Sequence, residues 1–158
     1  MKENVTPSLI DRLIDLEPRQ AADSPQSRNK SVQDFKASVR RDLQWLLNTR
    51  RIHEQAPESM AETYRSLYNF GLPDYSSLSV NSVRDYNTLL GEIEDTIKLF
   101  EPRLKNFKVR LVPDYEGNTR KLHFQIEGML DMDPAPEAVS FDTIFEIASG
   151  EYEVKGGA

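Results

Sequence analysis

Cysteine is absent from the 158 residues, which excludes a disulfide framework, a thiolate metal site and a thiol nucleophile and suits a reducing compartment. Histidine is scarce: His53 and His123 lie far apart, and neither has a second ligand at helical or strand spacing, so zinc has no donor set. Long apolar runs are missing too. No stretch approaches the length of a bilayer span, and Met1-Lys2-Glu3-Asn4 lacks the basic-then-apolar layout of a signal peptide. The expectation is a cytoplasmic protein with no direct membrane insertion. Nor is there an excess of cations. The formal charge is -6, from 26 acidic against 20 basic residues, and the pairs Arg40/Arg41, Arg50/Arg51 and Arg120/Lys121 are scattered among acids, so nucleic acid is repelled.

Signatures of catalysis are equally thin. Ser149-Gly150 lacks the preceding glycine of a nucleophile elbow. Gly156-Gly157 has neither a lysine after it nor a helix behind it, so no loop cradles a phosphate and no cofactor is expected. Carboxylates are plentiful, but Glu92, Glu94 and Asp95 have ordinary solvated-face spacing, and nothing marks them as the paired acids of a glycosidase.

What is present fits one compact domain with appendages. Within residues 1–16, Leu9, Ile10, Leu13 and Ile14 share one helical face, opposite Asp11, Arg12 and Asp15. Residues 17–30 offer almost nothing to bury and read as a flexible linker. A helix this short is marginal in water. It needs a surface, either its own domain or a partner's groove, and the detaching linker favours the partner.

The main domain is expected over residues 31–155, with a tail at 156–158. Ser31 is a candidate cap for a helix from Val32 to Leu47, whose Val32, Phe35, Val39, Leu43, Leu46 and Leu47 form an apolar stripe. A less regular helix over Glu58 to Asn69 places Met60, Tyr64, Leu67 and Tyr68 inward, before Gly71 and Pro73. The third is the most regular: Val83, Tyr86, Leu90, Ile93, Ile97 and Phe100 alternate steps of three and four. Ser79 or Ser82 caps its start, and Pro102 ends it near Phe100. Gly91 in mid-helix costs about 1 kcal/mol relative to alanine, and a close backbone approach is the expected reason for it.

After Pro102 the period becomes twofold. Phe107, Val109 and Leu111 form one alternating set, Leu122, Phe124 and Ile126 a second, and Phe141, Thr143, Phe145 and Ile147 a third. Glu116-Gly117-Asn118 reads as the hairpin loop between the first two, and Asp133-Pro134-Ala135-Pro136 separates the second from the third. The fold class is therefore α+β: helices packed on one face of a small antiparallel sheet, preceded by a tethered amphipathic helix. The last strand, running on through Tyr152 and Val154, has no following helix. Its edge is either open for pairing with another chain or blunted by Glu151, Glu153 and Lys155.

One junction stands out. Phe100-Glu101-Pro102-Arg103-Leu104 lies where the long helix hands over to the first strand, and its arginine can make forked bonds that the neighbouring glutamate orients. It reads as an internal clamp or as a polar knot between subunits. A second copy, Glu17-Pro18-Arg19, has no strand behind it and is treated as chance. With Asn48-Thr49-Arg50 after the first core helix and Phe70-Gly71-Leu72-Pro73-Asp74 ahead of the third, the order of blocks from Ser31 to Val154 resembles the TssE family of type VI secretion baseplates. That family is similar to a small wedge protein of contractile-tailed phages that has carried a lysozyme-like label.

The resemblance implies a non-enzymatic structural part that joins the wedge, built from TssF and TssG with TssK nearby, to the first sheath ring of TssB/TssC. It assigns partner contacts to Glu101, Pro102 and Arg103, sets Thr49 and Arg50 in the same polar cluster, and implies that an exposed strand edge receives sheath strands. Leu9-Ile10-Asp11-Arg12-Leu13 looks like the usual start of such a chain, so Leu9, Ile10 and Leu13 join the partner-binding set. Where the phage branch commonly has a Gly-Glu-Arg-like turn, this chain reads Arg51-Ile52-His53-Glu54, which favours the secretion branch. The alternative, taken from the label, is a peptidoglycan hydrolase. Replacing Arg103 by alanine is expected to leave the domain folded.

Overall fold

The computed structural model describes residues 8–14, 28–52, 54–75, 82–113, 120–133 and 135–157. Helices α1 (Leu9–Leu13), α2 (Arg28–Asn48), α3 (Ala61–Tyr64) and α4 (Val83–Phe100) are followed by strands β1 (Leu104–Val112), β2 (Lys121–Leu130), β3 (Glu137–Glu146) and β4 (Glu151–Gly156). The strands form an antiparallel meander in the order β1-β2-β3-β4.

The expected helix-on-sheet arrangement is present, with several local differences. Helix α2 starts at Arg28, so three residues assigned to the linker form its first turn, and Ser31 is a buried helical residue instead of a cap. The rest of the linker, His53, Ser79 and the Glu116-Gly117-Asn118 loop lie outside the described residues. Ser82 caps α4, accepting from the Asp85 N–H at 3.2 Å, and α4 ends at Phe100 ahead of Pro102. A Cβ built on Gly91 meets nothing within 4 Å. No close backbone approach explains that glycine, contrary to expectation.

The segment from Glu58 to Asn69 is not one amphipathic helix. It contains α3 and a single 3₁₀ turn, Leu67–Asn69. Met60, Leu67 and Tyr68 are exposed, and the buried side chain is Asn69. Its amide accepts from Ala56 N–H at 3.0 Å and donates to Tyr64 C=O at 3.1 Å. A polar residue therefore shapes this loop by supplying bonds the irregular backbone lacks.

The anticipated third strand is two strands. Glu146 N-terminal to the turn and Glu151 after it face each other in the register, and Gly150 makes the reversal with φ of 72°, a left-handed value that suits glycine. Alternation sends Leu122, Phe124 and Ile126 of β2, Phe141, Thr143 and Phe145 of β3, and Tyr152 and Val154 of β4 to the buried face. They pack against Val39, Leu43 and Leu47 of α2 and Leu89, Ile93 and Ile97 of α4. In β1 the register shifts between Lys105 and Lys108, with Asn106 at φ of 48°. Gly128 faces this bulge, where a Cβ would come within 2.7 Å of Phe107 Cβ. Past Val109 the core face of β1 runs beyond its cover, and Leu111, expected inward, is exposed.

The outer edge of β4 is covered at Tyr152 and Val154 by side chains of α2. Gln44 and Asn48, four residues apart on α2 and so on one face, bond its backbone. Asn48 accepts from Tyr152 N–H at 2.9 Å and donates to Tyr152 C=O at 2.8 Å. Gln44 accepts from Val154 N–H at 2.7 Å and also donates to Tyr152 C=O.

Candidate functional site

Pro102 disfavours helical geometry at the residue before it, and the chain leaves α4 at Glu101 and turns into β1. The turn folds Arg103 back over Glu101. Glu101 is 3 % exposed, and its carboxylate accepts from Arg103 Nε at 2.6 Å and from Nη2 in a forked pair. The same guanidinium reaches Asp42 at 2.6 Å and Ser38 at 3.2 Å on α2 and lies over the Phe35 ring at 5.8 Å. Burial alone would lower the Arg103 pKa, but the bonds to Glu101 and Asp42 outweigh it and leave it raised.

The chain of charges continues. Asp42 also accepts from Arg41, at 2.9 Å, and Arg41 reaches Asp11 of α1 at 2.7 Å. Asp11 further accepts from Ser38 at 2.7 Å and Ser8 at 2.6 Å. Burial would raise the Asp11 carboxyl, yet the bonds from Ser8, Ser38 and Arg41 pull it down to about 2. Five charges of alternating sign thus run from Glu101 through Arg103, Asp42 and Arg41 to Asp11. They bind α1, α2, α4 and β1 at one corner, with Pro102 exposed beside it.

Helix α1 is consequently docked by its polar face. Leu9, Ile10 and Leu13 are 70 %, 59 % and 75 % exposed. Of the sequence-expected cluster, Glu101 and Arg103 meet, while Thr49 and Arg50 do not join them. These two follow the C-terminal end of α2, about 10 Å along the helix from Asp42 at 1.5 Å per residue, in a second joint with the Phe70-Gly71-Leu72-Pro73-Asp74 block. Leu72 N–H donates to Thr49 C=O at 2.9 Å and Arg51 N–H to Leu72 C=O at 2.8 Å. Arg50 pairs with Asp74 at 3.4 Å, and Gly71, at φ of 104°, leaves room that a Cβ would lose to Thr49 O at 2.1 Å. Nearby, burial pushes the Tyr75 hydroxyl up to about 12, with Glu92 adding and Arg51 opposing.

Sequence reasoning missed Asp11, Ser38, Arg41 and Asp42 as members of the corner, and Gln44 and Asn48 as edge covers. The available signal was polar residues spaced by three and four beside the apolar stripe of α2. Chemically the corner is a saturated set of charge-assisted bonds, suited to fixing elements and not to turnover. Among the described residues, no group of three or more His, Asp or Glu side chains is placed to hold a metal ion, and no helix is long and apolar enough to cross a membrane.

The sequence model described as "Baseplate wedge protein gp25" matches residues 33–135, more than half of the chain. The chain belongs to this family. Both joints fall within the matched region except for Ser8 and Asp11 of the corner, and α1, β3 and β4 lie outside it. Among curated proteins and among solved structures, nothing matches the chain. The gp25 family, which includes phage gp25 and TssE proteins, is structural and non-enzymatic. This sets the hydrolase alternative aside. The chain is a structural wedge component of the baseplate of a contractile tail or injection machine, from a family that binds other wedge components and the sheath.

Proposed function

We propose that this gp25-family member is the TssE-type subunit of a type VI secretion baseplate, working in the cytoplasm at the inner-membrane-associated platform. In this reading it joins the wedge formed by TssF and TssG, with TssK nearby, to the first sheath ring of TssB/TssC. The observation that carries it is the outward apolar face of α1. An amphipathic helix held by Asp11 with Leu9, Ile10 and Leu13 in water leaves unmet the burial that such side chains favour, each about 1.5–3 kcal/mol when fully covered. A helical groove on a wedge partner meets it. The Leu9-Ile10-Asp11-Arg12-Leu13 resemblance to TssE starts supports the same assignment.

Glu101, Pro102 and Arg103 then act indirectly: their corner anchors Asp42 and Arg41, which hold Asp11 and aim α1. Thr49 and Arg50 serve the wedge from the C-terminal end of α2. The test is co-purification of TssF and TssG with a Leu9→Glu/Leu13→Glu variant. Loss of both partners, with far-UV circular dichroism and unfolding midpoint unchanged, is expected. Normal co-purification would remove α1 from the interface.

A further inference from the structure

We propose that Trp45 of α2 and the outward face of α1 form one docking surface, whose occupant is an apolar shelf of the wedge partner edged by a carbonyl acceptor. This rests on the reading that α1 docks to the wedge; it adds the residue at which that contact continues onto the main domain and the chemistry that meets it.

The apolar stripe of α2 hides most of its large side chains: Phe35, Val39, Leu43, Leu46 and Leu47 are all buried. Trp45, the chain's only tryptophan, stands off that stripe and is 56 % exposed. Among the described residues its indole N–H has no hydrogen-bond acceptor. The ring is nevertheless held in place. Arg41, four residues earlier and so on the same helix face, lies over it with Cζ 5.2 Å from the ring centroid, a cation–π arrangement. Arg41 is itself fixed: Nε and Nη2 donate to Asp42 at 3.1 and 2.9 Å, and Nη1 donates to Asp11 at 2.7 Å. A side chain oriented in advance loses little freedom when a partner covers it.

One guanidinium therefore touches both the indole and, through Asp11, helix α1. The two exposed apolar features of this corner share an anchor. Area shows why a docking surface needs both. The three aliphatic side chains of α1 supply roughly 200–350 Å² of apolar surface, well short of the about 800 Å² that each side of a specific interface buries. The surface has to run on past α1, and an indole, with about 150–250 Å² to bury, is the large apolar group that its anchor reaches. Tryptophan and arginine are also the residue types that dominate binding energy at interface centres.

The remaining free parts of the ring define what fits. Arg41 covers one face, so the other face takes aliphatic or aromatic side chains, and the N–H takes an oxygen. Asp11 and Asp42 already neutralise Arg41, so that oxygen belongs to a neutral carbonyl and not to a carboxylate. The occupant is thus a continuation of the groove that receives α1, apolar on its floor and with a carbonyl at its rim.

The test uses the full chain and the purified TssF–TssG complex, with affinity measured by titration calorimetry. Trp45→Ala should weaken binding at least tenfold at unchanged thermal midpoint, and Trp45→Phe, which keeps a ring without the N–H, should weaken it less. A readout independent of stability comes from wild-type chain labelled with fluorotryptophan, whose single indole gives one fluorine resonance. Its solvent isotope shift, present in the free protein, should vanish in the complex. If the wild-type chain does not bind the complex, the wedge reading fails and the joint surface with it. If Leu9→Glu/Leu13→Glu abolishes binding while Trp45→Ala binds within twofold of wild type, or if the isotope shift persists in the complex, the joint surface is overturned and the α1 reading stands. If Trp45→Ala weakens binding while Leu9→Glu/Leu13→Glu binds normally, the contact lies on α2 alone and both are overturned.

Discussion

Truncating Arg103 should remove a large share of the domain's stability, beyond the expectation drawn from sequence, which was that the variant stays folded. Arg103→Ala leaves Glu101, 3 % exposed, without the forked guanidinium that neutralises it, and it also strips Asp42 and Ser38 of a donor. Breaking a buried pair on one side typically costs about 3–5 kcal/mol, out of a total stability on the order of 5–15 kcal/mol. With a urea dependence near 2 kcal/mol per molar, the unfolding midpoint should fall by about 2 M. Removing both charges with apolar groups of similar volume, Glu101→Leu/Arg103→Met, should return the protein to within about 2 kcal/mol of wild type, because no buried charge is left unpaired. Urea titrations followed by far-UV circular dichroism on the two single variants and the double variant complete the cycle. A midpoint for Arg103→Ala within error of wild type would refute the reasoning, as would a double variant no more stable than the single.

Three further outcomes are expected. Gly71→Ala forces a side chain into a positive-φ position against Thr49 O and should cost at least about 2 kcal/mol in the same titration. Gly91→Ala, in open space on α4, should stabilise by about 0.5–1 kcal/mol and raise the thermal midpoint. Docking of α1 should depend on pH with the sign of a depressed carboxyl: Asp11 moves from 3.8 to about 2 on docking, so its contribution is complete above the higher value and lost as pH falls through the lower. Methyl shifts of Ile10 and Leu13 followed by NMR between pH 5 and about 2 should report release, and Asp11→Asn should abolish that transition.

Much of the fold was legible because α4, β2 and β3 carry strict periodicities, Pro102 marks the end of α4, and Ser82 was one of two serines read as its cap. The division of the last strand was less so. Ser149-Gly150 is a turn signal, but apolar alternation on both sides of it masks the reversal. Asn69 defeated pattern reading for a different reason: the loop is organised around a buried polar side chain, whereas periodicity locates only apolar ones. At the site, Glu101, Pro102 and Arg103 could be picked out as a junction, but their partners could not. Ser38, Arg41 and Asp42 have the spacing of a solvated helix face, and only tertiary contact with β1 and α1 gives them their role. The blocks around Thr49 and Gly71 were recognised as belonging to one pattern, yet nothing in linear order says that they join each other instead of the Glu-Pro-Arg corner.

Helix α2 is gripped by polar bonds at its middle, through Ser38, Arg41 and Asp42, and at its C-terminal end, through Asn48, and by hydrophobic contact along its buried face. A tug applied to α1 reaches Arg41 and Asp42 first, then travels about 10 Å along the helix at 1.5 Å per residue to the grip of Asn48 on the last hairpin. Mechanical load is thereby spread in parallel over several short bonds and the long apolar seam. In an apparatus that contracts abruptly, a member braced this way resists shearing as a whole and does not peel apart strand by strand.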